Sequence, residues 1–459
     1  MRVLKGSLIF ACSFVAFASG AGTQALAETM SGALARAYRS NPDLNAQRAG
    51  TRATDEGINR AKAGYLPTVN LTATLGLQHL STNQPGRTNV STTPRTLGAT
   101  IQQNLFNGFR TRNFVRQSES QVLQAREQLR LIEQNVLANA AAAYMNVMRD
   151  SAILNLRKKN IIVLQRQLQS TRDRFQVGEV TRTDVAQSEA ALASGQSAVF
   201  VAQAALQSSL AVYRQIIGTR PRRLAPARPV TGPLPRSLKR ARALAQRLHP
   251  SIIAALHNAD ALRLAVKVAE GALYPSVDVT GTIQKSYDGN NAPGTRALQS
   301  SVIAKLNVPL YAGGLNYASI RQAKEQYGQA RLQVDLQRAS VRAAAVSAWG
   351  IWRQSLLVIK AQQVAVNAAQ IAYAGVREEA KVGQRTTLDV LNAQQALLNA
   401  RVNLVTAQRD RVVASYNLLA AVGKLSAATL RLKVRRYDPR VHFNQVRNKL
   451  WGVRTPDGR

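Results

Sequence analysis

GYLPTVNLT at residues 64–72 and ALYPSVDVT at residues 272–280 are two versions of one stretch of sequence. The likeness continues on the C-terminal side of each copy, over residues 64–127 and 272–331. In both copies an alternating pattern comes first and a helical pattern follows. This duplication decides the fold, because whatever the first half forms the second half forms again.

A second matching pair lies further along each half, at residues 174–218 and 379–423. Each copy has a Val-Gly pair near its start, and an Asp-Val pair follows six residues past the Gly. Pro67 and Pro275 differ in position by 208 residues, whereas Gly178 and Gly383 differ by 205. We therefore expect a loop that is three residues shorter in the second half. A repeat of this length indicates a supersecondary unit used twice rather than a solenoid of short modules.

The N-terminal residues have the pattern of a secretory signal. Two basic residues precede an apolar run at residues 8–18, and Ala25-Leu26-Ala27 supply small side chains at the spacing that signal peptidase requires. Residues 1–27 are predicted to be a removed signal peptide. Cys12, the one cysteine of the chain, lies within it, so the mature chain is predicted to contain no disulfide.

Four segments alternate apolar with small polar side chains. They predict strands over about residues 66–79, 96–106, 275–285 and 298–310. No stretch after the signal approaches the ~20 apolar residues that a membrane helix needs. The alternation is typical of outer-membrane barrel strands, and it is equally typical of a half-buried sheet in a soluble protein.

The remaining pattern is helical. Long helices are predicted over about residues 110–176, 182–218, 314–380 and 387–422. At 1.5 Å per residue, some 65 residues extend to roughly 100 Å, which is far longer than a globular core. Such helices must pack side by side as coiled coils.

These elements divide the mature chain into a first repeat at residues 28–218, a linker at 219–245, a second repeat at 246–430 and a tail at 431–459. The linker is rich in Pro and Arg, and the tail is predicted to be irregular. The chain is strongly basic, with a formal net charge of +37. Export argues against nucleic acid as the partner of these charges. We expect a solvated basic surface, with anionic lipids or cell-envelope polymers as possible partners.

The number of strands predicts an assembly. Four strands cannot close a barrel, and open edges would leave unpaired backbone groups in lipid. Three chains would supply twelve strands, and the same threefold axis would arrange the helices as a tube. If the strands are barrel strands, the predicted fold class is an α+β membrane protein, a homotrimer with a twelve-stranded barrel continuous with a helical tunnel.

The chain resembles the TolC-type outer-membrane channel proteins of efflux pumps and type I secretion systems, over about residues 29–430. The resemblance rests on duplicated short motifs: Ala37-Tyr38 with Asn41-Pro42, Asn104-Leu105-Phe106-Asn107-Gly108, Pro309-Leu310-Tyr311-Ala312-Gly313-Gly314 and the two Val-Gly turns. It implies a trimeric barrel in the outer membrane, a helical tunnel in the periplasm and a closable inner end. It also implies a periplasmic adaptor protein and an inner-membrane transporter as partners.

The turns between the long helices hold the candidate site residues. Thr181 and Thr386 are natural helix N-caps, and Asp184 and Asp389, three residues on, can complete capping boxes. If the turns form the periplasmic mouth of a trimer, Asp389 would also form a ring of three carboxylates that attracts cations.

The resemblance further implies a gate in which Arg385 lies near Thr183 and Asp184. Two positions depart from the family pattern, since Ala380 replaces a tyrosine that pairs with the aspartate, and Asn392 replaces a second pore aspartate. The resemblance also predicts that an adaptor docks on the turns that contain Val177, Gly178, Val382 and Gly383.

Nothing in the sequence indicates an enzyme. The four histidines are dispersed, and we find no metal-ligand spacing, phosphate-binding Gly loop or nucleophile motif. We therefore expect no cofactor and no metal, and the predicted function is a passive exit channel of a tripartite export system. The alternative is a non-conducting coiled-coil scaffold that binds anionic cell-envelope polymers.

Overall fold

The structure is a computed structural model. It describes residues 27–81, 83, 89–221, 223–289 and 293–458. All but the last residue of the predicted signal peptide lies outside the described residues.

The first half builds two helices, a pair of long strands and a helical hairpin. Its elements are α1 (Met30–Ser40), α2 (Pro42–Lys62), β1 (Thr68–Leu75), β2 (Gln78–Leu80), β3 (Val90–Thr92), β4 (Arg95–Asn107), α3 (Arg110–Gln176) and α4 (Arg182–Ile217). Strands β2 and β3 pair only with each other and extend the β1–β4 pair.

The second half repeats this order without the short extension. Its elements are α5 (Leu238–Leu248), α6 (Pro250–Glu270), β5 (Ser276–Tyr287), β6 (Arg296–Asn307), α7 (Leu315–Lys381) and α8 (Thr387–Ala421), and α9 (Pro439–Val446) follows. Helices α3 and α7 each contain 67 residues, so each extends for about 100 Å. Among the helices of the described residues, none combines the length and apolarity needed to cross a membrane.

In both halves, the residue between the two short helices caps the second helix with its side chain. Asn41 caps α2, because its Oδ1 accepts from the backbone N–H groups of Asp43 and Leu44 at 3.0 and 3.2 Å. His249 caps α6 through Nδ1, which accepts from Ser251 N–H at 3.3 Å. Burial lowers the pKa of His249, which favours the neutral ring that this contact needs.

The four long strands form one antiparallel sheet in the order β1-β4-β5-β6. Its register places the predicted apolar residues of the four strands on one face. The cross-strand rows of that face are Val69–Ile101–Gly281–Val302, Leu71–Ala99–Ile283–Ser300 and Ala73–Leu97–Lys285–Leu298. Leu71 and Val302 are 76% and 80% exposed, so none of the described residues covers this face there.

The opposite face of the sheet is polar. Its rows are Asn70–Thr100–Thr282–Ser301, Thr72–Gly98–Gln284–Gln299 and Thr74–Thr96–Ser286–Ala297. In the part of the chain that the structure describes, the outer edges of β1 and β6 have no strand beside them. A sheet with one apolar face, one polar face and two open edges has the features that one segment of a larger barrel requires.

The main core lies where α1, α3, α4 and α8 meet the linker. Tyr144 donates its hydroxyl proton to the carbonyl oxygens of Glu28 and Ala225, at 2.7 and 2.6 Å. Tyr213 donates to the Glu28 carboxylate at 2.6 Å. Burial raises the pKa of both tyrosines to about 12, so both stay donors. These contacts fix Glu28 and the linker against the helices.

The long helices pack as antiparallel hairpins, α3 with α4 and α7 with α8, and α8 also packs on α3. Residues Val122, Leu129 and Val136 of α3 are buried, whereas Asn139 is exposed. Helix α7 is less covered. Its exposed apolar residues include Leu332, Leu336, Val364 and Ile371.

Two boundary predictions are wrong. The tail is not wholly irregular, because residues 439–446 form α9, which Asp438 caps and whose Val446 is fully buried. The linker is shorter than predicted, because α5 begins at Leu238. The last linker proline is Pro235, so the following residues are free to be helical, and Ser237 caps the new helix.

Candidate functional site

The two helical turns lie at the end of the hairpins that is remote from the sheet. Gly178 and Gly383 have φ angles of +80° and +79°, a region that glycine adopts without strain. Val177 and Val382 beside them are 71% and 72% exposed. Each turn therefore presents a valine and a bare stretch of backbone to the surroundings.

A complete capping box follows each turn. Thr181 Oγ1 accepts from Asp184 N–H at 3.3 Å, while Asp184 Oδ2 accepts from Thr181 N–H at 3.0 Å. Thr386 and Asp389 repeat both contacts at 3.2 and 3.0 Å. The capping interpretation of these residues is confirmed. The capping contacts use Oδ2 of each carboxylate, and the negative charge of the group can still attract cations.

Both carboxylates are held in the ionised form. Hydrogen bonds from the Thr181 side chain and backbone lower the pKa of Asp184 below its usual value of 3.8. The pKa of Asp389 is lowered first by the backbone N–H of Thr386, next by its hydroxyl, and also by the charge of Arg385.

We expect acid to loosen both turns. A carboxyl group whose folded pKa is depressed stabilises the folded state above its unfolded pKa, and this contribution disappears as the pH falls through the folded value. Hydrogen-exchange protection at residues 177–185 and 382–390, corrected for intrinsic rates, should therefore fall below about pH 3.8. The N-cap of α5 is a matched control, because Ser237 caps Arg240 N–H with a hydroxyl alone and the first turn of α5 has no acidic residue. Equal loss of protection in α5 would contradict the capping account.

The structure places Arg385 differently from the prediction. Its Nε donates to Glu379 Oε2 at 2.8 Å, and it does not pair with Thr183 or Asp184. Glu379 lies on the same turn and is the nearer carboxylate, which explains the difference. This partner also raises the pKa of Arg385.

The first turn has a matching ion pair with the charges reversed. Arg174 Nε donates to Glu179 Oε2 at 3.0 Å. Position 174 corresponds to Glu379 in the second half, so each turn is bridged by one cation and one carboxylate. Both pairs are solvent-exposed, and exposed pairs contribute little to stability.

Asp184 faces the second hairpin at Thr387. The Thr387 side chain adds to the lowering of the Asp184 pKa, and Thr387 is buried. Further from the turns, Gln394 Nε2 donates to Asn160 Oδ1 at 2.8 Å. These contacts hold α8 against α3 and α4.

A groove of about 480 Å³ lies between the hairpins near these contacts. Asn160 and Gln394 line it together with Arg157, Gln187 and Asn392. Asn392 is the position where the family pattern has a second aspartate, and here it makes the groove neutral at that point.

Sequence reasoning found the capping residues and the turn glycines but missed Glu379, Thr387 and Gln394. Glu379 could have been found, because it precedes Arg385 by six residues across a turn. Thr387 and Gln394 face another hairpin, and no local pattern indicates such a contact. Within the described ranges, no cluster of His, Cys, Asp or Glu could hold a metal ion.

This chain is similar to known proteins over most of its length. The model of the family "Outer membrane efflux protein" matches the chain twice, at residues 33–219 and 241–424, so the internal duplication is confirmed. The outer membrane efflux protein BepC of Brucella suis is 42% identical over 446 residues, which cover 95% of this chain and 94% of BepC. The outer membrane protein TolC of Escherichia coli is 26% identical over 90% of this chain and 85% of TolC.

A solved structure has the same fold. The CmeC outer membrane channel of Campylobacter jejuni superposes with a TM-score of 0.78 at 16% identity, covering 91% of this chain and 89% of that chain. The predicted fold class is confirmed.

Proposed function

The chain belongs to the outer membrane efflux protein family, and we propose that three copies form the exit channel of an export system in the outer membrane. The observation that carries the proposal is the register of the sheet. It sorts the side chains of four strands into one apolar and one polar face, as a wall between lipid and water requires.

The open edges support the trimer. Strand β1 of one copy can pair with β6 of the next, and three four-stranded sheets then close a barrel without exposed backbone groups. The exposed apolar residues of α7, such as Leu332 and Ile371, would be covered by the neighbouring copy in the same assembly.

The helical turns would then form the periplasmic mouth. Asp389 would appear three times around the axis as an acidic ring, and Thr183, Asp184 and Arg385 would act as the gate. The chain is a passive conduit in this proposal, since the named relatives are channel and efflux proteins rather than enzymes.

The exposed turns are the proposed docking surface for a periplasmic adaptor. Gly178 and Gly383 have open space where a side chain would lie, so a partner helix can approach the backbone closely. Val177 and Val382 add apolar contacts beside them. An inner-membrane transporter would supply the energy for export through this adaptor.

We expect Arg385→Ala to open the mouth. If Arg385 reaches Thr183 or Asp184 of a neighbouring copy in the closed trimer, its removal should raise single-channel conductance and admit bulky antibiotics such as vancomycin, without loss of assembly. Glu379→Gln is the matched control, because it removes only the partner within the turn and leaves Arg385 free to engage the neighbour. Equal conductance increases in the two variants would show that the local ion pair holds the mouth.

Export itself is tested by deletion and complementation. A strain that lacks the gene should accumulate an efflux dye such as ethidium, and the wild-type chain should restore the lower level. Loss of a secreted protein with unchanged dye accumulation would assign the channel to protein secretion. No change in either, with the protein present in the outer membrane, would contradict the proposed function.

A further inference from the structure

The C-terminal segment returns to the base of the sheet. Helix α9 lies beside α2, and residue numbers rise in the same direction along both. Three contacts pair the two segments in order: His442 Nδ1 with Asp55 Oδ2 at 3.0 Å, Asn59 Nδ2 with Val446 O at 2.6 Å, and Lys62 Nζ with Arg447 O at 2.9 Å. Because α2 leads into β1, α9 also points toward the sheet.

Beyond α9 the chain turns back on itself. Gly452 has a φ of +96°, Lys449 Nζ donates to the carbonyl oxygen of Arg454, and Asp457 forms an ion pair with Arg52 at 3.4 Å. Arg52 precedes Lys62 by ten residues on α2. Asp457 therefore lies further from the sheet than the turn at Gly452 does. We name residues 450–453 the C-terminal tip.

The C-terminal tip is apolar, and the part of the chain that the structure describes leaves it uncovered. Leu450, Trp451 and Val453 are 64%, 88% and 99% exposed. Neighbouring apolar side chains with this exposure indicate an interaction surface. The contacts of α9 with α2 fix the position of the tip along the long axis of the molecule.

The tip lies close to the ends of the strands that join the helices. Lys62 is followed by one 3₁₀ turn, Ala63–Tyr65, which rises about 6 Å at 2.0 Å per residue. The junctions between strands and helices carry exposed aromatic residues at this level: Tyr65, Phe109, Tyr274 and Tyr311. Aromatic belts of this kind mark the boundary between membrane and water.

The charges near the tip are mainly positive. Arg447, Lys449 and Arg454 flank it, Lys62 lies beside it, and the acidic residue that follows, Asp457, is paired with Arg52. A basic surface with tryptophan and aliphatic residues fits a membrane of anionic phospholipid, which attracts the cations and accepts the indole at its interface.

We propose that the C-terminal tip inserts into the phospholipid leaflet that faces the periplasm and anchors the helical tunnel beside the barrel. This inference rests on the outer-membrane location of the proposed channel. The tip lies outside the strands, so the barrel can form and conduct whether or not the tip is inserted.

The test uses site-specific fluorophores in the full-length trimer. The chain has no cysteine after residue 27, so Trp451→Cys and Val441→Cys can each be labelled with a nitrobenzoxadiazole group. Val441 is the matched control, because it is 56% exposed on α9 but lies further from the sheet. Trimers would be reconstituted in phosphatidylcholine vesicles with phosphatidylglycerol and spin-labelled lipid.

We expect blue-shifted emission and severalfold stronger lipid quenching at position 451 than at position 441. Charge reversal by Lys449→Glu with Arg454→Glu should reduce this quenching. Equal quenching at the two positions would overturn the proposal, as would a label at 451 shielded from both lipid and aqueous iodide. Ion flux through the same vesicles distinguishes the two hypotheses. Flux without quenching at position 451 would contradict insertion of the tip alone. Absence of flux would contradict the proposed channel.

Discussion

Leu71→Arg is expected to prevent assembly of the trimer in the outer membrane. Leu71 lies in the second apolar row of the sheet, beside Ala99 of β4, and is 76% exposed. An arginine directed toward lipid near the midplane costs about 2–4 kcal/mol in a barrel, and a trimer contains three copies. The measurement is the amount of heat-modifiable trimer in outer-membrane fractions.

Thr72→Arg is the matched control, because the adjacent residue of the same strand lies on the polar face in the row with Gly98. The longer side chain would extend into water there, so we expect near-normal trimer levels. Equal defects in Leu71→Arg and Thr72→Arg would contradict the assignment of the two faces.

Asp389→Asn is expected to relieve block of the channel by a trivalent cation. With hexamminecobalt(III) on the periplasmic side, three carboxylates at the mouth should bind the ion strongly, since acidic rings attract cations in pores. Their removal should weaken the block on the order of a hundredfold or more, because all three carboxylates of the ring are lost together. The measurement is the concentration for half-block in planar bilayers.

Thr386→Ala separates the ring from the capping box. It removes the hydroxyl that caps Asp389 N–H and leaves the carboxylate in place. Block should therefore persist in Thr386→Ala and disappear in Asp389→Asn. If both variants lose the block equally, the carboxylate acts through the helix cap and not as a ring.

The sequence predicted the parts of the fold that follow from local periodicity. Alternation at Val69, Leu71 and Ala73 identified both the strand and its apolar face, because side chains of a strand alternate strictly. The turn at Val177-Gly178 and the caps at Thr181 and Asp184 were predicted for the same reason, since each is a local contact within a few residues.

The features that sequence reasoning missed have two different causes, distant contacts for α9 and a borrowed family pattern for Arg385. Helix α9 is short and basic, and it is stabilised by Asp55 and Asn59, nearly 400 residues earlier in the chain. The pairing of Arg385 with Glu379 was missed because the expectation came from a family pattern that supplied a different partner. Neither contact leaves a periodic signal in the sequence.

The central claim is that this chain forms a conducting channel, and the most direct test is the current through a planar lipid bilayer that contains the purified trimer. A polar barrel lumen continuous with a helical tunnel predicts discrete single-channel steps, with cation selectivity that declines in Asp389→Asn. A stable trimer that inserts into the bilayer but gives no steps above the protein-free detergent control would contradict the claim and favour the non-conducting scaffold.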